Sequence, residues 1–276
     1  MKRRIVADSS CDLTLLGGED IAFAPLKIFT SEREFVDNES INIEDMLTYL
    51  ENYKDKSSTA CPNQTEFTSA FGNADEVFCV TITSNLSGSF NAARLAAEEY
   101  ERENAGKRVH VVDTLSVGPE SALIIEKIRE LTALGEDFES TKEKITEYNE
   151  KTRLIFSLES MKNLANNGIV SHVVAKMAGI LGIRAIGRAS DVGTLEMTDK
   201  VRGEANTLAT IAKNMLAEGY SGGKVRIHHV KNAAAAEKLC GIIKKTHPDA
   251  DVKTLEAGGL CSFYAERGGL LVGFET

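Results

Sequence analysis

Val77-Phe78-Cys79-Val80-Thr81-Ile82 is an almost unbroken apolar and β-branched run, and its reading decides the fold class. A strand with one wet face alternates apolar and polar residues, whereas a run without alternation fits a strand covered on both faces, as in parallel sheets. Residues 84–89 follow as a turn and residues 91–102 as a helix. Upstream, Ile5-Val6-Ala7 is a short apolar run ending at the polar turn Asp8-Ser9-Ser10. Downstream, residues 109–112 repeat the buried-strand pattern and stop at Asp113-Thr114. Pro119 opens a helix with Ile124, Ile128 and Leu131 on one face, Gly135 closes it, and a further helix is expected over residues 138–151. Strands alternating with helices imply parallel pairing through right-handed crossovers. Residues 1–152 are therefore expected to form a doubly wound α/β domain.

From Arg153 the pattern loosens. Residues 154–157 read as a strand and residues 159–181 as two short helices. Residues 183–188 and 194–198 flank the turn-rich Ala189-Ser190-Asp191-Val192-Gly193 and read as a hairpin. Helices over 203–217 and 233–245 enclose a strand at 224–230, and the chain closes in apolar Leu270-Leu271-Val272-Gly273-Phe274. Residues 153–276 are expected to be an α+β domain with a mixed or antiparallel sheet.

Composition narrows the partners. Of the 276 residues, 42% are hydrophobic, enough to bury at least one full core. The formal net charge of −9 opposes a phosphate-tracking surface, which needs clustered Lys and Arg, so no nucleic acid is expected. No apolar stretch approaches the roughly 18 residues of a membrane span, and no h-region follows Met1. A cytoplasmic protein with at most transient membrane contact is expected. Five cysteines without a C-x-x-C pair fit a reducing compartment and packed thiols better than a disulfide framework. His228 and His229 are adjacent, which is not zinc-ligand spacing. In a strand their side chains point to opposite faces, one toward the core and one toward solvent. The Gly-x-Gly-x-x-Gly fingerprint is missing, and Gly222-Gly223-Lys224 runs into Val225, which lacks the hydroxyl a P-loop needs for magnesium. No cofactor, metal or catalytic residue is expected.

The order of short motifs resembles the DegV family. Ile5-Val6-Ala7-Asp8-Ser9-Ser10-Cys11-Asp12-Leu13 is similar to the family's opening, and Pro25-Leu26, Phe35-Val36-Asp37 and Ile41 to its next block. Ser58-Thr59-Ala60-Cys61-Pro62 stands where the family has Thr-Ser-Gln-Pro, and residues 83–91 resemble its Ser-Ser-x-Leu-Ser-Gly-Thr-Tyr block. Val112-Asp113-Thr114 and Lys200-Val201-Arg202-Gly203 follow in order. The resemblance implies two α/β domains enclosing one long-chain fatty acid. In some family members that lipid is presented to a separate, ATP-using catalytic subunit of fatty acid kinase.

Ser87 follows a buried strand and precedes a helix, where free amides and the helix dipole favour an anion. It is either an N-cap serine or, with the amides of Gly88 and Ser89, a carboxylate ligand, and the resemblance favours the second. The same resemblance gives Thr59 a second hydroxyl for that carboxylate and places Arg202 near the ligand head, where a guanidinium suits phosphate or carboxylate. The other reading of Arg202 is a surface salt bridge. Arg184 occupies the place of a family lysine, and Arg188 matches no motif. Cys61 has no histidine placed by sequence to activate it, so a hydrolase or transferase reading is set aside.

Two positions depart from the family. The arginine of its Gly-Gly-Arg-Ile block is Ile169 here, and the histidine of its His-Thr-Gly-Pro-Gly block is Tyr264. Tyr264 keeps one hydrogen bond but carries no positive charge near neutral pH, and Arg267 is the nearest replacement charge. The leading reading is a carrier presenting a fatty-acid carboxylate to a kinase subunit. The alternative is a divergent carrier or sensor of an amphipathic acid without kinase chemistry.

Overall fold

The computed structural model describes residues 1–14, 21–171 and 182–276. The second short helix expected within 159–181 falls largely outside them.

The chain opens with β1 (Arg3–Asp8) and β2 (Ile21–Ala24), paired in parallel. It then leaves this sheet for a separate ribbon, β3 (Lys27–Phe29), β4 (Glu34–Val36) and β5 (Ser58–Ala60), ordered β4-β3-β5 and antiparallel. Helix α1 (Ile43–Asn52) spans the gap between β4 and β5. After α2 (Gln64–Phe71) the chain returns as β6 (Glu76–Thr81), α3 (Ser89–Glu103) and β7 (Arg108–Asp113). The first sheet is parallel throughout in the order β2-β1-β6-β7.

Both faces of β6 are covered, which explains its unbroken apolar run. Val77 and Cys79 pack with Phe67, Phe71, Ala93 and Ala96 of α2 and α3. Phe78 and Val80 pack on the opposite face against Leu123, Ile124 and Ile128 of α4 (Pro119–Ala133) and Phe138 of α5 (Phe138–Asn149). The doubly wound expectation holds. One part of it does not: β7 is the sheet edge and only Val112 in it is buried. β-Branched composition alone does not separate an edge strand from a central one. The helix expected to reach residue 151 ends at Asn149.

The second sheet comprises β8 (Thr152–Leu158), β9 (Ile183–Ala189), β10 (Leu195–Arg202), β11 (Val225–His229), β12 (Val252–Glu256) and β13 (Leu270–Glu275), in the order β10-β9-β8-β13-β11-β12. It is mixed, with β11 and β12 parallel and the remaining neighbours antiparallel. The expected hairpin is β9–β10. Short α6 (Lys162–Asn166) follows β8, while α7 (Glu204–Ala217) and α8 (Ala233–Thr246) bury Leu208, Ile211, Leu239 and Ile243 against one face of the sheet. The other face takes α9 (Gly259–Ala265) and, unexpectedly, the ribbon and α1, whose Ile28, Met46 and Leu47 share a core with Leu154, Phe156 and Leu158. Residues from the first half of the chain thus complete the core of the second.

Helix α4 joins the two sheets. Gly273 of β13 lets it approach closely, because a Cβ there would lie 2.6 Å from the backbone of Pro119 and Glu120. Arg226 of β11 reaches across to Glu126 through Nε–Oε1 and Nη2–Oε2 contacts of 2.7 and 2.6 Å. Glu120 is buried and accepts from Thr152 Oγ1 at 2.8 Å. Desolvation pushes its carboxyl up to about 7 from the 4.5 of an unfolded chain. A raised carboxyl binds its proton more tightly in the folded state, so its stabilisation is full below pH 4.5 and is lost as pH rises through 7. Glu120→Gln is expected to remove that slope and to be the more stable protein at pH 8, by about 1–3 kcal/mol. Urea unfolding of both proteins at pH 5.5 and pH 8 checks this, and parallel pH dependences would contradict it.

Candidate functional site

In an open parallel sheet the natural crevice lies outside the carboxyl ends of neighbouring strands whose connections run to opposite sides. Here that point is between β1, which continues toward β2, and β6, which continues toward β7. Asp8 ends β1 and is fully buried. Its carboxylate accepts from Ile82 N (2.9 Å), Ser10 Oγ (2.5 Å) and Ser89 Oγ (2.5 Å). Desolvation raises its pKa while these donors oppose the rise. The bonds tie the loop after β6 to the end of β1.

That loop carries Ser87. The helix after it begins at Ser89, with Gly88 at the N-cap and no side-chain cap. Ser87 is therefore not the N-cap: it precedes the N-cap residue by one, and its Oγ accepts from Ser89 N at 3.2 Å, two residues further along. The helix starts two residues earlier than expected because the buried Ser89–Asp8 bond fixes its first residue.

A cavity of about 350 Å³ opens beside this loop. Its polar end is lined by Thr59, Cys61, Ser87, Gly88 and Tyr264. Thr59 Oγ1 and Tyr264 OH are hydrogen-bonded at 2.7 Å, joining β5 to α9. The β5 end touches the serine loop directly, since a Cβ on Gly88 would lie 3.2 Å from Cys61 Sγ. Burial raises the Tyr264 phenol above its ordinary value, so it is a neutral donor at physiological pH. The rest of the wall is apolar. Leu154, Phe156 and Leu158 of β8 line it with Leu271 of β13, while Leu164, Ile169 and Leu195 complete it. Ile169, at the family's arginine position, is thus part of an apolar wall.

The cavity brings together Thr59, Ser87, Gly88 and Tyr264 from separate elements. Ser89, whose amide was expected to face the carboxylate, is not among the lining residues: its amide donates to Ser87 Oγ and its side chain to Asp8. Arg202 ends β10 with an exposed side chain and does not line the cavity. Arg184 bonds Gly268 O and Glu159, Arg188 pairs with Glu196 and Glu218, and Arg267 pairs with Glu44 and Glu51. Neither a cationic side chain nor a histidine is among the described lining residues. His228 is buried, with Nδ1 2.7 Å from Asp12 Oδ2, while His229 is half-buried and its pKa is lowered by desolvation. All five cysteines are free, and Cys11, Cys79 and Cys261 are buried. Among the described residues no group of three or more His, Cys, Asp or Glu is arranged to hold a metal, and no helix is long and apolar enough to cross a membrane.

Sequence reasoning missed the carboxylates that support this site. Asp12 accepts from Gly258 N at 2.9 Å, and Asp37 accepts from Gly259 N and Leu260 N at 2.7 and 3.0 Å. The available signals were a cluster of Asp and Ser at the end of a strand and the Gly258-Gly259 pair, which admits close contacts.

A doubly wound sheet and a mixed sheet, with an apolar cavity between the loop after β6 and strands β8 and β13 and hydroxyls at one end of it, define a class of two-sheet α/β proteins. Within it, this chain belongs to the DegV family: residues 2–276 match the model of that family of uncharacterised proteins. A DegV domain-containing protein of Streptococcus pyogenes serotype M1 is 40% identical over 279 aligned positions, covering 100% of both chains. The crystal structure of a DegV family protein from Eubacterium eligens, loaded with heptadecanoic acid, is 44% identical with a TM-score of 0.97 over 99% of each chain. The Streptococcus pneumoniae fatty acid kinase (Fak) B3 protein, loaded with linoleic acid, is 39% identical with a TM-score of 0.96, covering 100% of this chain and 99% of that one.

Proposed function

We propose that this protein binds one long-chain fatty acid between an N-terminal unit (1–152) and a C-terminal unit (153–276) and presents its carboxylate to a separate fatty acid kinase catalytic subunit. The observation that carries the proposal is the apolar cavity ending at the Thr59–Tyr264 hydroxyl pair and Ser87. It gains weight from structures alike over their full length that hold heptadecanoic and linoleic acids. The tail lies against Leu154, Phe156 and Leu158, and the carboxylate accepts from Thr59, Ser87 and the loop backbone. Each buried methylene contributes about 0.8 kcal/mol, so a sixteen-carbon chain gives on the order of 10 kcal/mol gross. Charge-assisted bonds at the head add about 1.5–3 kcal/mol each before desolvation. The tail sets affinity and the head sets orientation. Ser87→Ala is accordingly expected to weaken binding only about 10-fold, measured by displacement of a fluorescent fatty acid.

Lipid extraction and mass spectrometry of purified protein test the proposal. A long-chain acid at about one per chain is expected, and protein that is empty and takes up no added acid would overturn it. The neutral lining of the cavity favours a second reading, a cytoplasmic carrier or sensor with no kinase partner. Turnover of the bound acid by a fatty acid kinase catalytic subunit with ATP removes that reading, and none under the same conditions supports it. Arg202, exposed and outside the cavity, belongs in the first reading to the surface offered to that subunit.

A further inference from the structure

We infer that Asp37 is a positioning residue for the head-group hydroxyls, acting through the helix that carries Tyr264; the inference rests on the lipid-binding reading above. Asp37 lies one residue beyond β4 and is fully buried. Its backbone N donates to Leu26 O at 2.9 Å, which fixes it to the ribbon. Its carboxylate takes the amides of Gly259 and Leu260, at one end of α9. At the other end of the same helix, Tyr264 OH meets Thr59 Oγ1. Thr59 belongs to β5, which pairs with β3 at Ile28, and β3 pairs with β4 at the same residue.

The contacts close a ring: ribbon, Asp37, α9, Tyr264, Thr59 and back to the ribbon. The distance between Tyr264 and Thr59 is therefore set by where Asp37 seats the start of α9. A seven-residue helix is about 10 Å long and too short to bend appreciably, so displacement at Gly259 is transmitted to Tyr264. Two glycines make the seat tight. A Cβ on Gly259 would lie 2.7 Å from Asp37 Oδ1 and 2.6 Å from Ile41 Cδ1, and one on Gly258 would lie 3.0 Å from Asp12 Oδ1. Burial pushes the Asp37 carboxyl up to about 6 while its amide donors oppose the rise, so at neutral pH it is ionised and its two bonds are charge-assisted.

A residue that merely stabilises the fold affects every ligand of the cavity alike. One that places hydroxyl donors affects the charged head and spares the tail. The test compares a long-chain fatty acid with its methyl ester, which has the same chain and no anionic oxygen. In Asp37→Asn, folded by circular dichroism, affinity for the acid is expected to fall about 10–50-fold and that for the ester less than about 3-fold. Gly259→Ala, which keeps the carboxylate and displaces the helix, is expected to give the same split and decides the matter if Asp37→Asn does not fold. Equal losses for acid and ester, or no loss for either, would overturn the inference. Failure of the wild-type protein to bind both ligands would instead overturn the lipid-binding reading itself.

Discussion

Phenylalanine in place of Ala265 is expected to weaken binding of long-chain acids by about two to three orders of magnitude, to the level of shorter acids, while leaving the shorter ones little affected. Ala265 ends α9 on the cavity wall, one residue beyond Tyr264, and is almost fully buried. A benzyl group there displaces about five methylenes of tail at about 0.8 kcal/mol each, which amounts to about 4 kcal/mol or nearly three orders of magnitude in affinity. Displacement titrations should show a sixteen-carbon acid losing about 100–1000-fold and a ten-carbon acid less than about 3-fold. Equal affinities in variant and parent would mean that the tail lies elsewhere.

The second large effect is on stability. Asp12→Ala removes a buried carboxylate that serves His228 Nδ1 and Gly258 N together, joining the turn after β1 to β11 and to the start of α9. Leaving those groups buried without a partner costs about 3–5 kcal/mol. For a chain of this size that is a fall of roughly 5–9 °C in melting temperature. The double variant Asp12→Ala/His228→Ala is expected to fall little further than the more damaging single one, because both remove one interaction. Additive losses would show that the two residues act separately.

The fold was legible where physics is local. The β6 run reads correctly because it is covered by α2 and α3 on one side and by α4 and α5 on the other. The β9–β10 hairpin reads correctly because Gly193 has φ of +77° and its neighbours are turn formers. The ribbon was invisible, since three-residue strands give no periodicity and their partners lie across the chain. The edge character of β7 was equally hidden, because a strand's place in a sheet is decided by its neighbours.

The site was legible in a different way. Ser87 stood out by position at a strand-to-helix turn, but Thr59 and Tyr264 emerged only through the order of motifs. Their hydroxyls meet across 205 residues of sequence, and Asp12 meets Gly258 across 246. No local pattern encodes such pairs. Arg202 shows the converse, since a motif match placed near the ligand a side chain that the fold leaves exposed outside the cavity.

Crystallography of the protein with a fatty acid brominated at its terminal carbon is the most direct test. The carboxylate is expected within hydrogen-bonding distance, about 2.6–3.2 Å, of Thr59 Oγ1 and Ser87 Oγ. The anomalous bromine peak should lie deep between the sheets, against Phe156 and Leu158. A bromine peak at the Ser87 end, or an acid bound outside this cavity, would contradict the proposed mode of binding.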